Sequence, residues 1–426
     1  MIENTKIFQV PNANSNEAVI KDVFYNVNSR DLSRYFKNLK SKEYICICSG
    51  GTTSSCAKNN LITIDLRKKF NHIKFNKRTD IVEIGGGTKM GDLLNYLENF
   101  DRTFPIGLSR LPGVGYILTG GISPLSRRYG LAIDNLIFAK GFLGNGEYFE
   151  INKNKLTQKD MNIWECIKGA GQFFGIITSI GLKTFVANPL IIYEGFVNSK
   201  ELTELIHEAE TFPNNMSLQY LFSDNIYIYI VIEVKTLQDK NIAENYFQKF
   251  KKYTSLKINQ FKSINKIQFF PRELKLFELR KTHHSEVISL LGEDLNNNVE
   301  EFIRVIIEIN HQKPNKSCYV ASQQLGGASY SSRDEESSFI NRECTWKPWI
   351  YTSWEKNNKK EKEIAIEWMN TSWEKLKKFY PKIHLAQLHN HLETHNEEVH
   401  LAFGSKLNKM RSLKNFCDPS GNLPPL

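Results

Sequence analysis

The chain has 426 residues, 41% of them hydrophobic and 24% charged, which allows two or three domain-sized cores and excludes a disordered chain. Its 56 Lys and Arg against 46 Asp and Glu leave a net charge of +10, but the cations are scattered among acids, as in Lys359-Lys360-Glu361-Lys362-Glu363, which argues against a nucleic-acid partner. Seven cysteines without repeated spacing exclude a disulfide framework and offer no metal-ligand set, and no stretch approaches the roughly 18 apolar residues of a membrane span. With no leader-like apolar run at its start, the sequence is expected to be that of a cytoplasmic protein with buried thiols and no membrane partner.

In chain order, residues 32–39 predict a short helix and residues 44–48 a strand that runs into Ser49-Gly50-Gly51-Thr52-Thr53. Glycines that permit a turn, followed by hydroxyls and main-chain N–H groups that donate to oxygen, suit a phosphate cradle, although Gly-Gly-Thr fits any tight turn. Strands follow at 61–66 and 81–84, and Gly85-Gly86-Gly87-Thr88 then opens a helix at 92–99. The spacing there is Gly-x-Gly-x-x-x-Gly, and no strand ending in an acidic ribose-binding residue follows, so a nicotinamide dehydrogenase is an alternative and a structural role is preferred.

Residues 107–135 read as neither helix nor strand. Gly107, Gly113, Gly115, Gly120 and Gly121, with Pro112 and Pro124 among them, belong where backbone approaches a ligand closely. A strand at 136–143, a turn at Gly144-Asn145-Gly146 and a returning strand at 148–151 form a hairpin. A third cluster, Gly169-Ala170-Gly171, joins the apolar segment from Trp164 to a β-branched strand containing Gly175, Ile176, Ile177 and Thr178. Beyond Pro189 glycines thin out. Residues 220–234 are a β-rich run, 241–253 a helix, 363–379 a helix burying Trp368, Met369, Trp373 and Leu376, and 405–419 a short amphipathic helix ended by its proline.

In this order the motifs resemble the FAD-binding domain of the vanillyl-alcohol oxidase superfamily, and within it the berberine-bridge-enzyme-like branch, over about residues 32–185 and again near the end. The segment Gln324-Leu325-Gly326-Gly327-Ala328, then Phe339-Ile340-Asn341-Arg342, Trp354 and Trp368, is similar to that branch's substrate-domain signature, with Asn341 where a histidine usually stands. The resemblance implies an α+β fold: a two-subdomain FAD-binding domain of PCMH type at 1–187, an inserted substrate domain at 188–384 with an antiparallel sheet covered by helices, and a segment at 385–426 that returns to the flavin domain.

By the same resemblance the FAD pyrophosphate falls to Ser49, Gly50, Gly51, Thr52 and Thr53. The isoalloxazine and ribityl chain fall to Ser109, Gly113, Val114, Gly115, Thr119, Gly120, Gly121 and Ser123. Gly130, Leu131, Asp134, Gly175 and Ile177 close round the rest; Asp134 and Asn135 also read as turn caps. Where the branch attaches flavin through a histidine and a cysteine, this chain has Thr52 and Ser109 or a neighbour, so the FAD is expected to be non-covalent. The implied activity is hydride transfer from a C–OH carbon of a small-molecule substrate, a carbohydrate or other alcohol, to flavin N5, with oxygen or another electron acceptor completing turnover. A non-catalytic or sensing flavin protein is the second reading. The branch's Tyr-x-Asn-Tyr pattern becomes Leu388-His389-Asn390-His391, which on a strand sets His389 and His391 on one face opposite Asn390 and offers imidazole as the base. A histidine-bearing exposed strand fits the same residues, and Tyr129 is a further catalytic candidate.

Overall fold

The computed structural model describes residues 29–39, 43–253, 255–267, 283–330, 337–385 and 395–426, together with four short strand segments within the first 24 residues. Two small sheets and one large one carry the architecture. The first has four strands in the order Ile2–Glu3, Asp22–Phe24, Ile62–Asp65, Ile45–Cys48, the last three parallel to one another. The second has five antiparallel strands in the order Tyr148–Asn152, Leu136–Leu143, Gly175–Lys183, Ile81–Gly85, Ile73–Asn76.

The third sheet has eight strands, in the order Lys257–Phe261, Leu190–Val197, Ile226–Glu233, Met216–Phe222, Tyr319–Gln324, Trp346–Glu355, His283–Leu291, Lys382–Ile383. Its strand pairs are antiparallel. The β-rich run at 220–234 is not one strand. Ser223, Asp224 and Asn225 form a turn between Met216–Phe222 and Ile226–Glu233, and the two strands pair residue for residue.

Helix Lys359–Lys377 buries Trp368, Met369, Trp373 and Leu376 against this sheet, as its 3.6-residue pattern predicts, and starts at Asn358, whose side chain accepts the Glu361 N–H at 3.0 Å. Helix Gln158–Ala170 begins with a capping box in which Thr157 and Asp160 exchange hydrogen bonds of 3.1 and 3.2 Å. The central stretch is less irregular than expected: it holds three short helical turns, Gly115–Leu118, Ser126–Tyr129 and Ala132–Asn135.

Helix Leu407–Cys417 and the residues after it lie on the first two sheets. Asn145 N–H donates to Cys417 O at 2.8 Å, Ile45 N–H to Asn422 O at 3.0 Å, and Leu423 packs in a cluster with Leu32, Phe36, Ile64 and Ile176. The buried Asp418 carboxylate accepts the N–H groups of Asn422 and Leu423 and pairs with Lys414 at 2.9 Å, which fixes the turn that follows the helix.

Arg127, Arg128 and Tyr129 clasp the glycine-rich region to the large sheet. Arg127 donates to the carbonyls of Leu325 and Phe212 at 2.6 Å, and Arg128 pairs with Glu233 at 3.2 Å and Asp239 at 3.0 Å. Tyr129 Oη donates to the buried Glu233 carboxylate at 2.8 Å, and Asn188 donates to both.

Candidate functional site

Strand Ile45–Cys48 ends in a loop whose Gly51 has a φ of 70°, a left-handed turn that suits glycine. Ser49 Oγ bonds Gly86 O at 2.5 Å and anchors the loop base. The loop then meets the central stretch backbone to backbone: a Cβ on Gly50 would lie 2.1 Å from Gly113 N, and one on Gly113 would lie 2.4 Å from Gly50 N. Only glycine at both positions lets these loops touch, and together they wall a cavity of about 460 Å³.

Ser49, Gly50, Gly51, Thr52, Thr53, Gly113, Gly115 and Thr119 line this cavity, so the first motif and part of the second converge as the resemblance implies. Among the described residues the N–H groups of Gly51, Thr52, Thr53, Gly113, Val114 and Gly115 have no protein acceptor. A Cβ on Gly115 would meet nothing within 4 Å, so neither packing nor a positive φ requires glycine there. Gln172 also lines the cavity, and both atoms of its amide are buried without a partner. Buried amides left unmatched cost stability, so a wall built of them is complementary to a polar ligand.

Thr119 also lines the cavity. His384 holds its carbonyl at 2.8 Å through Nε2, and because a carbonyl only accepts, Nε2 carries the proton and Nδ1 is left as a bare, unpartnered acceptor. Burial, reinforced by the Lys347 ammonium, pushes His384 down to about 3, so the ring is neutral at ordinary pH. Asn341, which replaces the branch's usual histidine, donates to Ile383 O at 3.1 Å beside it.

The remaining expected contacts are not among the residues that line this cavity. Ser109 Oγ accepts the Leu111 N–H, and Ser123 Oγ accepts the Leu125 N–H, each as a turn cap. Val114 and Leu131 are core residues at 1% exposure. Gly120 and Gly121 have φ of 119° and 74° and fit against Phe339 and Ala132. Gly175 packs on Phe142 O, and Ile177 presents its carbonyl to Gly86. Asp134 accepts the Leu131 N–H at 2.8 Å and pairs with Arg342 at 2.9 Å; with Tyr129 and Gly130 it lines a separate cleft of about 300 Å³. Tyr129, offered as catalytic, is bonded to Glu233, and burial pushes its phenol above the usual tyrosine range. His389, Asn390 and His391 lie outside the described residues.

Sequence reasoning missed Gln172, whose place beside Gly171 read as part of a turn, and the cysteines Cys46 and Cys56, which also line the cavity. Burial raises the Cys46 thiol to about 11, whereas a hydrogen bond with Cys48 holds Cys56 down. The Gly85-Gly86-Gly87 cluster is no phosphate cradle: Cβ atoms there would lie 2.2, 2.0 and 2.3 Å from the carbonyl oxygens of Phe70, Ile177 and Leu66, in an antiparallel sheet. That removes the nicotinamide alternative at this position.

A family model of an FAD binding domain matches residues 29–152. An FAD-linked oxidoreductase of Dictyostelium discoideum is 27% identical over 310 residues, 68% of this chain and 63% of the relative. Among solved structures, chitooligosaccharide oxidase superposes with a TM-score of 0.80 at 14% identity, covering 97% of this chain and 94% of that one. A variant of berberine bridge enzyme does so with 0.75 at 18%, covering 96% and 89%. The chain therefore carries an FAD binding domain over residues 29–152 and shares the fold of berberine bridge enzyme. The matched residues 29–152 include both loops that wall the cavity, and the chain spans less than two thirds of the curated relatives it matches.

Proposed function

We propose that the protein is an FAD-dependent oxidoreductase that takes a hydride from a hydroxyl-bearing carbon of a small molecule, a carbohydrate or related alcohol, and passes the electrons to oxygen or another acceptor. The observation that carries this reading is the cavity wall itself, with its run of unmatched backbone donors and the whole unmatched amide of Gln172. Ser49, Gly51, Thr52 and Thr53 would hold the pyrophosphate, and Gly113, Gly115, Thr119 and Gln172 the ring and ribityl chain. Bound there, FAD supplies the hydride acceptor. The substrate hydroxyl needs a base within hydrogen-bond reach, a role proposed for His389 or His391, with Asn390 as a polar neighbour. The resemblance of chitooligosaccharide oxidase in fold favours a carbohydrate, since its own name states such a substrate.

Attachment is proposed to be non-covalent, because Thr52 stands in the cavity where the branch has its attaching histidine. Acid precipitation tests this: flavin should stay in the supernatant. Colour that stays with the pellet, and is lost in Cys56→Ser, would instead mark the cavity-wall thiol as an attachment point.

The reading as a whole is tested by adding FAD to stripped protein and following flavin fluorescence, then screening sugars and alcohols without oxygen for loss of the 450 nm band. Saturable FAD binding with bleaching by at least one alcohol is expected. FAD binding without bleaching by any of them would favour a non-catalytic flavin protein, and no FAD binding would end the proposal. His391→Ala, with unchanged FAD affinity, should slow the bleaching step if this imidazole is the base.

A further inference from the structure

Three polar side chains on one face of the large sheet have no hydrogen-bond or ion-pair partner among the described residues. Residues directly opposite in antiparallel strands share a face. Gln323 stands opposite Lys347, and Trp349 stands opposite both Ala321 and Ser289, so Gln323, Lys347, Trp349 and Ser289 lie together on three adjacent strands. The other face holds Trp346, Ile350 and Thr352, whose hydroxyl donates to Ala365 of the covering helix. The Lys347 face is therefore the one turned toward the glycine-rich region, where Leu190, Ile192 and Tyr229 of the same face pack with Leu108 and Leu125.

Gln323 is 5% exposed and its Nε2 donates to nothing; Ser289 is 1% exposed and its hydroxyl is likewise unmatched. Lys347 is partly buried, with its ammonium 4.7 Å from the centroid of the Trp349 ring and no ion pair to any described residue. Its surroundings push its pKa down to about 8, with burial as the cause. Lysines this enclosed are rare unless paired.

We propose that this face binds a carboxylate carried by the substrate, so that the oxidised molecule is an alcohol acid, such as a uronic acid or another hydroxy acid, rather than a neutral sugar. The inference rests on the flavin-dependent reading above. The ammonium supplies charge, and the Gln323 amide and Ser289 hydroxyl supply donors to the two oxygens, while Trp349 offers an apolar platform beside them.

The test uses matched pairs: glucuronate, galacturonate, lactate and mandelate, each against its methyl ester, titrated calorimetrically into the purified protein at pH 7. At least one acid should bind about tenfold or more tighter than its ester, as expected for a hydrogen-bonded charge. That margin should collapse in Lys347→Met, persist in part in Lys347→Arg, and shrink about threefold in Gln323→Leu, with circular dichroism confirming the fold. It should also shrink as pH rises through about 8, where the free ammonium loses its proton. His384 is the titratable neighbour, and it stays neutral over that range. Esters that bind as well as every acid, or a margin unchanged in a folded Lys347→Met, would overturn the proposal. Failure of the flavin reading shows separately, as protein that takes up no FAD, because the acid–ester comparison needs no turnover.

Discussion

Gly86 follows strand Ile81–Gly85 and precedes helix Met90–Glu98, and Gly115 begins the helical turn Gly115–Leu118, yet their surroundings differ. At Gly86 a Cβ would lie 2.0 Å from Ile177 O, and its neighbours Gly85 and Gly87 are as tightly closed by Phe70 and Leu66. At Gly115 nothing lies within 4 Å, and the open side is the cavity. The first glycine is required by the protein's own packing, and the second is the one proposed to face the flavin. A glycine demanded by no neighbour and no positive φ therefore marks a ligand surface better than a glycine-rich motif does.

The comparison breaks most visibly at Gly86. Gly86→Ala should cost about 4 kcal/mol or more in denaturant unfolding, as overpacking against backbone does, while any folded fraction keeps its FAD affinity. A cost under about 1 kcal/mol would mean the strand yields and the packing role is wrong.

Next in size is His384, which holds the carbonyl of the cavity-lining Thr119. His384 is held neutral, with its folded pKa of about 3 below the unfolded value near 6.5, so the unfolded chain binds the extra proton between those limits. Its contribution to stability is complete above pH 6.5 and falls on acidification by about 1.4 kcal/mol per pH unit until about pH 3. Stability-versus-pH curves for wild type and His384→Gln should converge as pH falls; parallel curves would show that His384 is not the group responsible.

The clasp at Tyr129 behaves like Gly86 and unlike Gly115. Tyr129→Phe leaves Glu233 short of a donor and should cost about 1–3 kcal/mol with FAD affinity unchanged. A fall in FAD affinity, with stability held, would return Tyr129 to the site. The smallest effect on stability belongs to Gly115→Ala, within about 0.5 kcal/mol of wild type, but its Cβ projects into the cavity and should weaken FAD binding about tenfold. Unchanged FAD affinity there would erase the distinction between the two glycines.

Elements with strong local signals were legible. Strand Leu136–Leu143 and the turn after it, and the helix over Trp368 and Trp373, follow from alternation, Gly-Asn-Gly and 3.6-residue spacing. The loop Ser49–Thr53 was found because glycines and hydroxyls follow a strand. What was not legible depended on partners far along the chain. Asp134 fits a flavin contact or a cap until Arg342, more than two hundred residues later, is seen paired with it. Gln172, Gln323 and Lys347 carry no motif at all, since what singles them out is the lack of a partner, and that exists only in three dimensions.

The residues that complete the cavity come from opposite parts of the chain. Tyr44 and Cys46 stand on its wall beside Pro424 and Pro425, and Asn422 caps the edge of the same strand through the Ile45 N–H. During synthesis the first loop leaves the ribosome hundreds of residues before that far wall exists. Closure of the cavity therefore waits on a segment made hundreds of residues after the loop it faces, so the early glycine-rich motifs alone do not form it.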